Sequence, residues 1–468
     1  MTSGRVDSEE RQITRKPSGS VKDILLPSFA LSLVLFGLIV VLLGRDKLVG
    51  YSALAIGGLC ALLVFDYYLY RKGRPGSVSL ALFLLFVLLL LSVVVRLLLF
   101  RYETPDSYLI SAWYSHIKSQ GGFLALRGDF SDYPPLFLYV LSVLTFIPVS
   151  SLYGIKLFSV VFDYVAGWWA YRLVRLKYPS GLIPVAAFFA VVFAPTVVVN
   201  GSLWGQSDAV YTSFLLASLY FMVGLSRDAK RGLHNHGVYL ALIMFGVAFS
   251  FKPHAVFFIL PLVFLYLSNR ARWYQFILVP FVYFLTVMPN YFIGKPLGKL
   301  LLFYPGQIDK MSQLSVTAPS IYQLLPFNSQ GTLLYPASLL FCIVLIISFS
   351  FLFLYKRVIF SQHNVIKVAM VSLLVVPYFL PGMHERYFFS ADVMAIIFAF
   401  YFPRFWYLPI VVGGISLLSY AEFLTGQRVF SYQVLALAMG VVVVVVVRDF
   451  LVSSVFIGAN SRDRSGDE

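Results

Sequence analysis

The chain is short of charge, nearly without cysteine, and has no polar stretch long enough to form a soluble domain. Only 12% of its 468 residues are charged, about half the share in an average soluble domain. That shortage argues against the two or three water-soluble domains this length would otherwise allow. The two cysteines, Cys60 and Cys342, both sit inside apolar runs. They exclude a disulfide framework and a cysteine zinc site. No basic stripe with interleaved aromatics lies on a polar element, so the net charge of +15 does not indicate nucleic acid. No tandem repeat of roughly 20–50 residues is visible. The first 22 residues are polar and mixed in charge, unlike a cleaved leader, and read as a disordered cytoplasmic tail.

What is present is apolar. Hydrophobic residues make up 59% of the chain and aromatics 17%. A membrane-spanning helix needs ~20 such residues. Candidate spans lie at 23–44, 48–70, 78–100, 153–174, 182–201, 209–225, 237–251, 254–268, 274–294, 335–355, 364–382, 388–403, 405–424 and 431–447. In lipid every backbone polar group must be satisfied within its own segment. The expectation is therefore an all-α, polytopic fold of about fourteen transmembrane helices. It divides into a tail at 1–22, an N-terminal hairpin at 23–77, a main membrane domain at 78–450 and a tail at 451–468.

Loop charge sets the orientation. Arg5, Arg11, Arg15, Lys16 and Lys22 precede the first span; Arg71, Lys72 and Arg74 follow the second. Arg172, Arg175 and Lys177, then Arg227, Lys230 and Arg231, then Arg270 and Arg272, then Lys356 and Arg357 continue the series. All fall on one side if both termini are cytoplasmic, as the positive-inside rule requires. The opposite face then carries segment 101–152, the loop 200–208, the loop 295–334 and the turn 381–390. Within 101–152, residues 106–118 place Leu109, Trp113 and Ile117 near helical spacing after Pro105, which reads as a short interfacial helix. Residues 134–149 read as a second juxtamembrane helix, because counting them as a span would put Arg172, Arg175 and Lys177 outside.

These loops hold the polar groups that topology does not explain. Asp106 opens the expected interfacial helix; it is an N-cap or a general base facing the membrane surface. Glu103, Asp129 and Asp132 share its segment, and Asp132-Tyr133 opens DYPPLFLYVL. The turn NGSLWGQSD carries Trp204, Gln206 and Asp208, more than a turn between two spans needs. Its Asn200-Gly201-Ser202 also matches a glycosylation sequon. Lys252, Pro253 and His254 break two short apolar runs, a costly position unless they line a cavity. Asp163 lies mid-span, two turns from Lys156. His384 and Arg386, in PGMHERYFFS, suit a phosphate. Tyr304, Gln307, Gln313 and Tyr322 belong to the loop expected to cover such a site.

Taken in order, these motifs (the acid in the first long segment, DYPPLFLYVL, NGSLWGQSD, FKPHAVFFILPL and MHERYFF) resemble those of the GT-C superfamily of integral-membrane glycosyltransferases. The likeness spans roughly residues 78–400 and is nearest to bacterial mannosyltransferase-like members, which are similar to dolichyl-phosphate-glucose-dependent glucosyltransferases. It implies inverting transfer of a hexose from a polyprenyl-phosphate sugar to a glycan, lipid or protein acceptor on the extracytoplasmic side of the cell membrane. By position Asp106 matches the catalytic base and Asp208 the second acid. Glu103, Asp132, Tyr133, Trp204, Gln206, Lys252, His254, His384 and Arg386 are the expected substrate-binding residues. The chain holds no clear Asp-x-Asp in this segment, so a metal-independent reaction without cofactor is expected; a divalent metal is the alternative. The competing function is a multi-span transporter or flippase of lipid-linked sugars.

Overall fold

The structure, a computed structural model, describes residues 76–227, 236–308, 313–325 and 333–456. The expected spans at 23–44 and 48–70, Cys60, Lys230, Arg231 and the side chain of Gln307 lie outside the described residues. The chain divides into two compact units, Met1–Val95 and Arg96–Glu468. The described part of the first, residues 76–95, is helical. All that follows concerns the second.

Seventeen helices are described. They are α1 Gly76–Leu99, α2 Pro105–Ser119, α3 Pro135–Leu144, α4 Ser151–Lys177, α5 Ile183–Val192, α6 Pro195–Val198, α7 Asp208–Arg227, α8 His236–Phe251, α9 Ile259–Leu267, α10 Leu278–Ile293, α11 Leu297–Leu301, α12 Pro305–Ile308, α13 Leu334–Tyr355, α14 Gln362–Phe379, α15 Phe389–Tyr401, α16 Leu408–Thr425 and α17 Tyr432–Phe450. No strand occurs among the described residues. Single helical turns join several of them, including a π-turn at Val199–Trp204 and a 3-10 turn at Pro253–Phe258.

Six described helical segments are long and apolar enough to cross a bilayer, and a seventh is the bent pair Ile183–Val192 and Pro195–Trp204, kinked by 46°. Among the described residues, length and composition thus support a many-span membrane protein, with fewer clear spans than the candidate spans that fall there. Shortfalls have local reasons. Lys156 and Asp163 dilute α4, and the break at Lys252-Pro253 splits 236–267 into two short helices. The exposure pattern is that of a protein solvated by lipid. Leu340, Phe341, Ile347 and Phe351 of α13 face outward, an apolar surface a soluble monomer would not present. α14, by contrast, is buried almost throughout from Val365 to Tyr378.

The helix expected at 106–118 is α2, but its buried stripe is Ile110, Trp113, Tyr114 and Ile117. Leu109 is 48% exposed: at 3.6 residues per turn, it is Ile110 that falls in line with Trp113 and Ile117. Those side chains pack with Phe137, Leu138 and Leu141 of α3 and Ile155 of α4 into a separate core. Segment 101–152 is therefore a folded element. α3 is 10 residues long, half of what a span requires.

Candidate active site

Asp106 is not the helix cap. Thr104 holds that place: its Oγ1 accepts from Ser107 N at 3.2 Å, and Ser107 Oγ accepts from Thr104 N at 2.8 Å. This capping box satisfies the first turn and releases the Asp106 carboxylate. Trp204 Nε1 donates to Asp106 Oδ2 at 2.9 Å and Gln206 Nε2 donates to the same oxygen at 2.5 Å. Arg386 Nη1 stands 3.7 Å from it. With its bonds on Oδ2, the carboxylate is fixed in rotamer while Oδ1 is left for another partner.

The turn that supplies Trp204 and Gln206 is built for close approach. Gly205 has a φ of +78°, which glycine adopts at no steric cost. A Cβ there would lie 3.3 Å from Lys156 Cγ. Lys156 is fully buried. Its ammonium donates to the carbonyls of Leu99, at 3.4 Å, of Phe100, at 3.1 Å, and of Tyr102. It closes the C-terminal end of α1, where a cation is favoured. One side chain thus braces both the approach to Asp106 and the turn that holds it. Trp204 is itself fixed by stacking on Phe423, with ring centroids 4.8 Å apart.

Asp208 begins α7 and is buried to 1% exposure. Lys252 Nζ donates to its Oδ1 at 2.7 Å and Asn200 Nδ2 to its Oδ2 at 2.9 Å. Asn200 is fully buried, so the sequon match is a structural amide with no access for glycosylation. Lys252 stands where α8 ends; its ammonium also lies 5.4 Å from the Tyr133 ring centroid. Tyr133 in turn donates to Gln206 Oε1 at 3.3 Å.

Arg386 joins the two acids. Its Nε faces Asp208 Oδ2 at 3.9 Å, and its guanidinium lies 5.6 Å from the Trp204 ring centroid. Its Nη1 donates to Glu385 Oε1 at 3.2 Å. Glu385 is buried and accepts from Thr317 Oγ1. The turn that carries both is tied to loop 313–325 by Gly382 N to Leu314 O, 2.8 Å, and Val316 N to Met383 O, 3.0 Å. Burial, and then the Arg386 charge, hold the His384 imidazole below the usual histidine range, with Glu385 and Asp106 acting the other way. His254 packs against Tyr387 with ring centroids 3.8 Å apart and the planes tilted by 54°. Three polar atoms of this cluster have no hydrogen-bond partner among the described residues, Arg386 Nε, His254 Nδ1 and Asn200 Oδ1.

A cavity of about 430 Å³ opens beside the cluster, lined on its polar side by Asp132, Tyr133, Lys252, His254 and Arg386. Its other walls are apolar, including Phe249, Phe257, Leu339 and Leu380. Tyr304 of the covering loop also lines it, and its hydroxyl donates to Phe249 O at 2.6 Å. Tyr322 donates to Phe379 O instead. Asp106, Asp208, Tyr133, Trp204, Gln206, Lys252, His254 and Arg386 are thus brought together, with His384 at the edge and Asp132 on the cavity wall. Glu103 stands apart: it is exposed and bonds the Tyr108 hydroxyl, whose pKa it raises. Asn200, Glu385, Thr317 and Tyr387 were not among the expected site residues. The only sequence signal was adjacency, since Asn200 opens NGSLWGQSD and Glu385 and Tyr387 flank Arg386. Among the described residues no three His, Cys, Asp or Glu side chains converge as metal ligands.

These features define a helical membrane protein in which two carboxylates are held by two cations that line the polar side of a largely apolar cavity. Residues 132–292 match the family model described as dolichyl-phosphate-mannose-protein mannosyltransferase, within the GT-C superfamily that the motifs resemble. The matched stretch contains Asp132, Tyr133, Trp204, Gln206, Asp208, Lys252 and His254, and points to a mannosyltransferase-type glycosyltransferase. No curated protein matches the chain.

Proposed function

We propose that this protein transfers a hexose, mannose in the first instance, from a polyprenyl-phosphate sugar to a glycan, lipid or protein hydroxyl at the extracytoplasmic face of the cell membrane. The carrying observation is Arg386: it lies against both acids, lines the cavity with Lys252 and His254, and keeps an unbonded Nε. Asp106 Oδ1 takes the proton of the acceptor hydroxyl as that oxygen attacks the anomeric carbon. The carbon–phosphate oxygen bond breaks on the opposite face, inverting the centre. The polyprenyl phosphate leaves as an anion stabilised by Arg386 and Lys252. Asp208, locked by Lys252 and Asn200, organises these cations and does not itself exchange a proton. The apolar walls take the first part of the lipid chain.

The reading includes both termini in the cytoplasm, fourteen spans with α2 and α3 at the membrane surface, and a reaction that needs no metal. A flippase of lipid-linked sugars is the rival, favoured by the helix break at Lys252 beside the site and by the bent pair Ile183–Val192 and Pro195–Trp204. One experiment separates them. Purified protein is incubated in detergent with a panel of polyprenyl-phosphate sugars, an acceptor sugar and EDTA. Sugar transfer that Asp106→Ala abolishes supports the transferase. Full transfer by Asp106→Ala overturns the assigned base, and absence of transfer with every donor favours the flippase.

A further inference from the structure

A larger cavity lies outside the proposed chemistry. It encloses about 850 Å³ between α5, α15 and α16, and its walls are almost wholly apolar, with Phe193, Phe400 and Trp406 among them. Two of its features have no explanation in packing within the chain. Gly413 and Gly414 stand together in α16 and line it. A Cβ on Gly413 would meet only Thr196 Cγ2, at 4.0 Å, and one on Gly414 would meet nothing within 4 Å. Small residues in membrane helices ordinarily let a neighbour approach closely; among the described residues none approaches here. The second feature is Asp392, one turn inside α15 and 3% exposed. Ser416 Oγ donates to its Oδ1 at 2.7 Å. Its Oδ2 has no hydrogen-bond partner among the described residues. The hydroxyls of Thr196 and Tyr420 stand near enough to act on the carboxyl, and Tyr420 Oη, like Asp392 Oδ2, has no hydrogen-bond partner among the described residues, so a single ligand hydroxyl can bridge the two. An unmet carboxyl oxygen in an apolar wall is costly and marks a partner.

We propose that this cavity binds a membrane alcohol, its hydroxyl bonded to Asp392 Oδ2 and its hydrocarbon laid along Gly413 and Gly414. A hydroxyl both donates and accepts, so it completes the carboxyl in either protonation state. An ammonium would serve only the ionised form, and a phosphate would meet like charge. The length is suitable: Asp392 to Tyr401 is ~14 Å of helix at about 1.5 Å per residue, the reach of a medium-length alkyl chain or a polycyclic ring system. The site also touches the chemistry. Tyr420 packs edge-on against Trp204 with centroids 5.4 Å apart, and Trp204 holds Asp106. Occupancy is thereby transmitted to the base through one buried aromatic contact.

The test uses the full-length protein in phosphatidylcholine nanodiscs, photolabelled with a diazirine analogue of dodecanol, with labelled peptides mapped by mass spectrometry. The expected result is label concentrated in α15 and α16, displaced ~3–10-fold better by dodecanol than by dodecane, the effect of one hydrogen bond. Gly414→Leu, whose side chain enters the cavity, removes that label. Asp392→Leu keeps the label and loses the preference for the alcohol; if it does not fold, Gly414→Leu decides. Equal displacement by alcohol and alkane means ordinary lipid contact and overturns the proposal. So does label that persists in Gly414→Leu, or an α16-to-α16 cross-link between two copies.

Discussion

Asp163 and Asp208 are both buried carboxylates facing a cation, yet their settings differ. Asp163 meets Arg96 at 3.3 Å, with side chains 0% and 1% exposed. Arg96 also donates to Val192 O at 2.6 Å and lies 5.1 Å from the Tyr164 ring centroid. Neither side chain lines either cavity described above, although Asp163 Oδ1 also lacks a hydrogen-bond partner among the described residues. Asp208 meets Lys252 at 2.7 Å, but Lys252 and Arg386 also face the 430 Å³ cavity. A closed pair is a structural element; a pair whose cations reach a cavity holds charge ready for a ligand. Burial alone does not distinguish them.

The comparison breaks most sharply at Asp106. Asp106→Asn keeps the hydrogen bonds with little change in packing, so transfer should fall ~10²–10⁴-fold while the melting temperature holds. A variant that transfers normally would remove the site from the comparison. Next in size are the two cations. Arg96→Met leaves Asp163 uncompensated, at a cost of ~3–5 kcal/mol, whereas Lys252→Met leaves Asp208 with Arg386 at 3.9 Å and Asn200, and should cost less. Per folded molecule, transfer should collapse in Lys252→Met and largely survive in Arg96→Met. Thermal unfolding with activity normalised to folded protein checks both, and Arg96→Met/Asp163→Leu should recover the stability. Gly201→Ala comes third: its Cβ would lie 2.7 Å from Asp163 Oδ2, an overpacking worth about 1–3 kcal/mol. Were that variant fully stable, the closed pair would have slack it is not described as having.

The smallest effect concerns His384. Its folded form binds protons less readily than the unfolded chain because of burial and Arg386. The stability it contributes is therefore present above the ordinary histidine range and is lost as pH falls through that range to the lower folded value. Wild-type protein should melt lower at about pH 5 than at about pH 7, and His384→Gln should show a smaller difference.

Much of this was legible in the chain itself, and what was missed shares a cause. Helix α2, the shortness of α3 and the break at Lys252 follow from local signals: proline position, apolar spacing and run length. So does the gathering of polar groups in WGQSD and HER. Partnerships across the sequence were not legible. Arg96 is 67 residues from Asp163, and nothing local to either indicates the other. Cap and general base both stayed open for Asp106 because the sequence does not say which of Thr104 and Asp106 turns its side chain back; the Ser107 hydroxyl decides that. Asn200 was hidden by its resemblance to a sequon. Asp392 drew no notice as a single acid in an apolar run.

Lys156 has a consequence for biogenesis. Its ammonium closes the end of α1 and its stem supports Gly205, so the first long segment docks onto α4 soon after α4 is made. Arg386, which sits against Asp106 and Asp208, is synthesised much later. Between the synthesis of Asp208 and that of Arg386, over a third of the chain, the nascent protein thus carries two acids with at most Lys252 to balance them. A chain stopped before residue 384 should therefore be cleared by quality-control proteases faster than the full-length chain.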